Sequence, residues 1–174
     1  MLPLEHGIQP QEPVPLRAIC QNLLQLEQII SRWMGMVIPE EYGGTGNSFT
    51  DLACITELMG YFACSIPLWD SAVLSATALL EAGNDDQKKT YLPQLASGNM
   101  VGCFGLTEHE GGSDPGSLCT SAVRDGDSYL INGTKMWITN GTNADVAIVW
   151  AKDDEGVVRG FLVVKGSDGF TAPV

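Results

Sequence analysis

Apolar positions along this chain follow a helical period in its first hundred residues and a strand period afterwards. Residues 1–15 hold Pro3, Gly7, Pro10, Pro13 and Pro15 and read as a loose lead-in. From Leu16, apolar residues recur at Ile19, Leu23, Leu26, Ile30 and Trp33, a stripe of period about 3.6 that predicts a helix. Pro39-Glu-Glu-Tyr-Gly43-Gly44-Thr-Gly46 breaks it. Ser48 with Asp51 three residues on is an N-terminal capping signature, and it opens a second stripe through Leu52, Ile55, Met59 and Phe62. A third helix is predicted from about Pro67 to Ala82, with Pro at its start and Gly83 at its end. Asn84 caps a fourth, which carries Asp85 and Asp86 at its positive end and Gly98 beyond its finish, with Pro93 expected to kink or shorten it.

After Gly98 the runs Met100–Leu106, Ser117–Asp125, Ser128–Thr139, Asp145–Ala151 and Val157–Lys165 are rich in strand-forming residues and separated by short polar breaks. Asp125-Gly126 predicts a tight hairpin and Asp153–Gly156 a longer one. The expectation is an α+β chain: an N-terminal helical domain over 1–98, then an antiparallel, barrel-like β domain over 99–174 that is incomplete, ending directly after a predicted strand.

Composition narrows the function classes. With 174 residues, 44% hydrophobic and 17% charged, the chain can bury a core and is not of disordered composition. Its longest apolar run, Val146–Ala151, is far shorter than the ~20 residues of a membrane helix. The formal charge is −12, split −7 and −5 across Asn99, so neither part offers nucleic acid a basic face. An anionic ligand would have to be held by backbone N–H groups and hydroxyls. The five cysteines have no C-x-x-C spacing and there are two histidines, which argues against zinc and for a reducing compartment. No basic, apolar leader opens the chain, so the expected location is cytoplasmic, or the mitochondrial matrix in a eukaryote.

Two segments concentrate polar chemistry. Phe104-Gly-Leu-Thr-Glu-His-Glu-Gly-Gly-Ser-Asp114 starts as a strand and ends among small residues whose N–H groups can approach an anion or a planar heterocycle closely. On composition alone it is equally a glycine-rich surface loop, and its carboxylates and His109 are packed too closely for a metal set. In Asn132-Gly-Thr-Lys-Met-Trp-Ile-Thr-Asn-Gly141, Trp137 and Thr139 two apart on a strand share a face. Trp137 could then cover a ring while the Thr139 hydroxyl meets its edge, or Trp137 could simply be a core residue.

Together these segments resemble the acyl-CoA dehydrogenase family, whose signature is an aromatic-x-x-Thr-Glu-Pro-x-x-Gly-Ser-Asp stretch followed by Trp-Ile-Thr-Asn. Ile38-Pro-Glu-Glu-Tyr-Gly-Gly44, Gly83-Asn-Asp-Asp-Gln87, Tyr91-Leu-Pro-Gln-Leu95 and Arg159-Gly-Phe-Leu162 fall in the family's order, so the resemblance runs from about Met34 to the end. The β part is most similar to the glutaryl-CoA branch. The resemblance implies a helical domain, a β middle domain and a C-terminal four-helix bundle, the last absent from these residues, with FAD between them. It implies that Phe104, Gly105, Leu106 and Thr107 line the flavin's pyrimidine edge and that Ser113 lies near the pyrophosphate and the substrate's thioester arm. Trp137 and Ile138 would pack at the flavin ring, and Thr139 would hydrogen-bond near N5. Such neutral donors would suit reduced flavin without cations.

The family reaction removes an α proton with a glutamate of the C-terminal bundle while the β hydrogen leaves as hydride to flavin. No glutamate here matches that base, so no catalytic residue is assigned and Glu108 is left to the flavin loop. Implied partners are an acyl-CoA or acyl-carrier-protein thioester, electron-transfer flavoprotein or another acceptor, and further copies in a homotetramer. Two departures stand out. His109 replaces the family's Pro, exchanging a fixed φ for a titratable ring. Ser65-Ile-Pro-Leu-Trp-Asp-Ser71 lacks the Arg with which the glutaryl branch pairs a distal carboxylate, which disfavours a dicarboxylyl substrate. The competing expectation is a catalytically dead remnant that binds flavin or a partner.

Overall fold

The computed structural model describes residues 32–61 and 68–173. The predicted stripe from Leu16 to Ile30, together with Phe62 and Pro67, lies outside the described residues. After helical residues at 32–34 and a 3-10 turn at Glu40–Tyr42, helix α1 (Phe49–Tyr61) begins where the capping signature puts it: Asp51 N–H donates to Ser48 Oγ (3.2 Å) and Ser48 N–H to Asp51 Oδ2 (3.0 Å). Its Leu52 is buried with Met36 and Val73.

The third predicted helix is two geometries in series. A π-helical segment, Leu68–Ser75, runs into α2 (Ala76–Ala82). Gly83 ends α2 with φ −70°, so it is not there for a left-handed turn; a Cβ would stand 2.6 Å from the Leu79 carbonyl oxygen. Helix α3 (Asp85–Ser97) opens on a reciprocal cap, with Gln87 N–H donating to Asn84 Oδ1 (2.8 Å) and Asn84 N–H to Gln87 Oε1 (2.9 Å). The expected shortening at Pro93 does not occur, for α3 continues to Ser97. Its Leu92 and Leu95 are fully buried, and that anchorage holds the last turn despite the missing N–H.

Five strands follow: β1 (Gly102–Gly105), β2 (Ser121–Asp125), β3 (Ser128–Asn132), β4 (Val146–Lys152) and β5 (Val158–Val164). Strand β4 is central. It pairs antiparallel with β5 along its length, parallel with β1 from Gly102↔Val146 to Gly105↔Val149, and with β2 through Ser121↔Lys152. The antiparallel expectation therefore holds for the β2–β3 hairpin and for β4–β5, while β1 lies parallel to β4. Gly126 (φ 60°) turns the hairpin as Asp125-Gly126 predicts. Although β3 and β5 lie on opposite sides of β4, the Tyr129 and Phe161 rings meet at 5.0 Å, so the sheet curls toward a barrel.

Helices and sheet share one core. Ala76, Leu79, Leu92 and Leu95 pack with Val146 and Ile148 of β4, and the partly buried Phe104 and Trp150 join them. The two approach closely at Gly102, where a Cβ would come within 2.8 Å of Ser75, and the Gly102 N–H donates to the buried Ser71 Oγ at 2.8 Å. This seam fixes β1, and with it the start of the polar loop, against the helices. No described helix is long and apolar enough to cross a membrane.

Candidate functional site

Phe104 and Gly105 close β1 in register with Ile148 and Val149. Phe104 lies half-buried on the helix-facing side, its ring 5.6 Å from that of Trp150. Gly105 is buried on the opposite face, where the stem of Lys135 passes: a Cβ on Gly105 would lie 3.7 Å from Lys135 Cγ. Leu106 and Thr107 are half-buried and outside the ladder. The chain then turns, with Glu108 N–H donating to the Gly111 carbonyl at 2.8 Å, and Gly112 and Ser113 stand exposed at the far end. His109 is also exposed, 3.9 Å from a Glu110 carboxylate oxygen.

The second segment corrects the expectation of a strand from Ser128 to Thr139. Strand β3 stops at Asn132, and residues 133–145 are irregular. Trp137 (φ 55°) and Asn140 (φ 63°) take left-handed conformations that interrupt any strand alternation, so the shared-face argument for Trp137 and Thr139 fails. The indole is 86% exposed, which sets aside the core reading of Trp137. Thr139 is exposed and Ile138 half-buried, the latter packed with Cys103, Ala147 and Val149 behind the sheet.

These two segments, about thirty residues apart in sequence, lie side by side. Met136 N–H donates to the Thr107 carbonyl at 2.9 Å. Lys135 Nζ donates to the Leu106 carbonyl at 3.2 Å and to Glu108 Oε1 at 2.7 Å. Glu108, 6% exposed, also accepts the Thr120 hydroxyl and the N–H groups of Thr120 (3.0 Å) and Cys119. Burial pushes its carboxyl up, but the Lys135 ammonium and the Thr120 and Cys119 donors outweigh it and bring the group to about 2. Cys103, on the same side of the sheet, is a buried thiol that desolvation, with the Asp70 charge, pushes up to about 11.

Around this junction, the N–H groups of Thr107, Trp137, Ile138 and Thr139 have no hydrogen-bond partner among the described residues. A cleft of about 820 Å³ opens on the sheet face away from the helices, lined in part by Gly105, Lys135, Trp137 and Ile138. Phe104, Leu106, Thr107, Ser113 and Thr139 do not line it. Of the sequence-predicted residues, then, Leu106 and Thr107 are tied to the start of the second segment, Gly105, Trp137 and Ile138 share the cleft, Phe104 faces the helices, and Thr139 and Ser113 are exposed outside the cleft. Sequence reasoning expected a site without cations and missed Lys135. Its position inside the Trp137 motif was visible, but its pairing with Glu108, 27 residues away, was not.

Comparison with known proteins identifies the family. Residues 26–99 match the family model for the acyl-CoA dehydrogenase N-terminal domain, and residues 103–173 match that for the acyl-CoA dehydrogenase middle domain. A probable acyl-CoA dehydrogenase of Bacillus subtilis (strain 168), YngJ, is 41% identical over 145 residues, 79% of this chain and 38% of that protein. A glutaryl-CoA dehydrogenase from Mycobacterium smegmatis, solved in complex with FADH2, superposes with a TM-score of 0.74 at 36% identity, covering 92% of this chain and 44% of that one. The prolyl acyl carrier protein oxidase AnaB superposes with a TM-score of 0.74 at 31% identity, covering 86% and 41%. The chain belongs to the acyl-CoA dehydrogenase family of oxidoreductases. It spans about two-fifths of the length of these relatives.

Proposed function

We propose that this chain is the flavin-contacting portion of an FAD-dependent acyl-CoA dehydrogenase, which oxidises an acyl thioester between its α and β carbons. The observation that carries this reading is the junction of the two segments through the Met136–Thr107 and Lys135–Leu106 hydrogen bonds. It brings the Thr107 backbone beside the residues that lead into the uncovered Trp137 indole, with the N–H groups of Thr107 and Trp137–Thr139 unpartnered among the described residues. A flavin offers the matching chemistry: a planar apolar ring to stack and a polar edge of alternating donors and acceptors. When bound, FAD would take up the β hydrogen as hydride.

In this reading the backbone of Phe104, Gly105, Leu106 and Thr107 and the Thr107 hydroxyl face the pyrimidine edge, Trp137 and Ile138 flank the ring, and the Thr139 hydroxyl donates near N5. Ser113, on its exposed loop, is left free to meet the pyrophosphate or the thioester arm. The helical part ends and the β part begins near Asn99, which accords with α3 finishing at Ser97 and β1 starting at Gly102. Substrate is an acyl group on CoA or on a carrier protein, both of which present a phosphopantetheine thioester. Within Ser65–Ser71 the one charged residue is Asp70, which disfavours an acyl chain ending in a second carboxylate. Electrons pass on to an electron-transfer flavoprotein or another acceptor, and the whole protein is a homo-oligomer.

No glutamate among the 174 residues is assigned as the α-proton base, so this chain by itself turns over no thioester, and with the Trp137 indole and Leu130 uncovered it binds FAD weakly. A second reading, a flavin- or partner-binding module without catalysis, draws support from Leu130 (68% exposed) and Trp137, whose apolar surface invites a covering partner. FAD titration of the chain, followed by quenching of flavin fluorescence, tests the flavin site. Replacing Trp137 by Ala removes a stacking face from an already exposed position, so affinity should fall about tenfold with the fold intact. Thr139→Val should weaken binding less and slow flavin reduction in the whole enzyme. Equal affinity in wild type and Trp137→Ala would refute the ring assignment, and stoichiometric flavin surviving gel filtration with acceptor reduction by an acyl-CoA would refute the inactivity.

A further inference from the structure

Neither Leu106–Glu108 nor Gly133–Asp145 belongs to a strand, so no β-ladder sets the distance between the two segments. One backbone hydrogen bond, Met136 to Thr107, spans them directly. The other hydrogen bonds between these two stretches pass through a single cation: Lys135 holds the Leu106 carbonyl with one N–H and Glu108 with another, while farther along Asn140 Nδ2 donates to the Gly102 carbonyl at 3.5 Å and Ile138 packs on Cys103. Glu108 in turn is fixed by Thr120 and Cys119, which lead into β2. Lys135 is one of nine basic residues in an acidic chain, and its side chain is 12% exposed. Burying a scarce ammonium against a buried carboxylate costs desolvation of both and is a weak source of stability. What such a pair supplies is fixed geometry.

We propose that Glu108 and Lys135 form a positioning pair, which holds Phe104–Thr107 and Trp137–Thr139 at the separation a flavin edge requires. The proposal rests on the flavin reading above and deepens it, because neither side chain need touch the cofactor. Lys135 acts through the Leu106 carbonyl and the Met136 N–H that follows it, and Glu108 acts through Lys135. The pair stands where a ladder would stand if the segments were strands. Irregular backbone then leaves its remaining N–H groups free for a ligand, as they are at Thr107 and Trp137–Thr139.

The experiment uses the full 174-residue chain and two readouts: site-resolved amide hydrogen exchange without ligand, and FAD affinity. In Lys135→Met the Met136 amide should exchange at least tenfold faster while β4 and β5 amides keep their protection, and FAD should bind at least tenfold more weakly. Lys135→Arg keeps a donor and a charge and should restore most of both. Glu108→Gln, which leaves Lys135 unpaired, should give the same pattern as Lys135→Met and serves as the reading variant if that one does not fold. Retained Met136 protection in Lys135→Met would overturn the proposal. So would loss of β4–β5 protection in every variant, which would mark the pair as merely structural, or loosened segments with unchanged FAD affinity. A wild-type chain that binds no FAD overturns the flavin reading instead, and the exchange data alone still decide whether the pair joins the segments.

Discussion

Acid should dismantle the site before it dismantles the sheet, and Glu108 sets the pH at which this happens. Its carboxyl lies at about 2 in the folded chain against 4.5 for the unperturbed group. Because the folded value is the lower one, the ionised form contributes stability that is fully present above about 4.5 and is lost as pH falls toward 2. One pKa unit corresponds to about 1.4 kcal/mol, so the ceiling is about 3.5 kcal/mol. The cleft beside Lys135 opens to solvent, and screening there reduces the expected contribution to about 1–2 kcal/mol. Asp51 and Asp153 are also held below the usual carboxylate range by hydrogen bonds, from Ser48 and from Arg159, so total acid sensitivity mixes several groups. The comparison of wild type with Glu108→Gln isolates one of them. Urea unfolding followed by circular dichroism should show wild type about 1–2 kcal/mol more stable at pH 7, with the gap closing between pH 4.5 and the lowest accessible pH. A gap of constant size across that range would refute the reasoning, since it would mean that the carboxylate charge is not what Lys135 and the N–H donors hold.

The other predictions concern local structure. Asn84→Ala removes both halves of the reciprocal cap on α3 and should cost about 1 kcal/mol in the same unfolding assay, with Asn84→Ser recovering most of it. Gly43 and Gly44 are adjacent but should respond differently. Gly43 has φ 81° and open space, so Gly43→Ala should cost about 1 kcal/mol from backbone strain alone. At Gly44 a Cβ would fall 1.9 Å from the Ile38 carbonyl oxygen, and Gly44→Ala should cost about 3 kcal/mol or more because backbone must move. Similar losses at the two positions would show that the Pro39–Gly46 turn is softer than its geometry.

Local signals were readable, and long-range ones were not. The caps at Ser48 and Asn84 and the Asp125-Gly126 hairpin depend on residues at most four apart, and each stands where the sequence puts it. The parallel pairing of β1 with β4 joins residues 44 apart, such as Gly102 and Val146, and a strand's alternation is the same for either direction of partner. Pro93 looked like a stop because its missing N–H is a local fact, whereas the burial of Leu92 and Leu95 beneath β4 is a tertiary one. The site divides the same way. Its two segments were conspicuous by composition, yet the run Ser128–Thr139 read as a strand with Trp137 and Thr139 on one face, which the left-handed Trp137 does not permit.

That left-handed tryptophan is where local preference and observed structure conflict most. A bulky residue at φ 55° costs about 1–2 kcal/mol, and leaving an indole 86% exposed forgoes the burial that would offset it. Packing for stability alone would favour glycine or asparagine at that bend, or a strand continuing through it. The chain instead spends a buried ion pair and the Met136–Thr107 hydrogen bond on the residues just before it. Strain that the surroundings over-determine, beside unpartnered N–H groups and an uncovered aromatic face, is the pattern of a surface built to be covered. The sheet behind it explains why the arrangement can persist. Ile138 is packed against Cys103, Ala147 and Val149 and Met136 is bonded to Thr107, so the segment is anchored on both sides of Trp137.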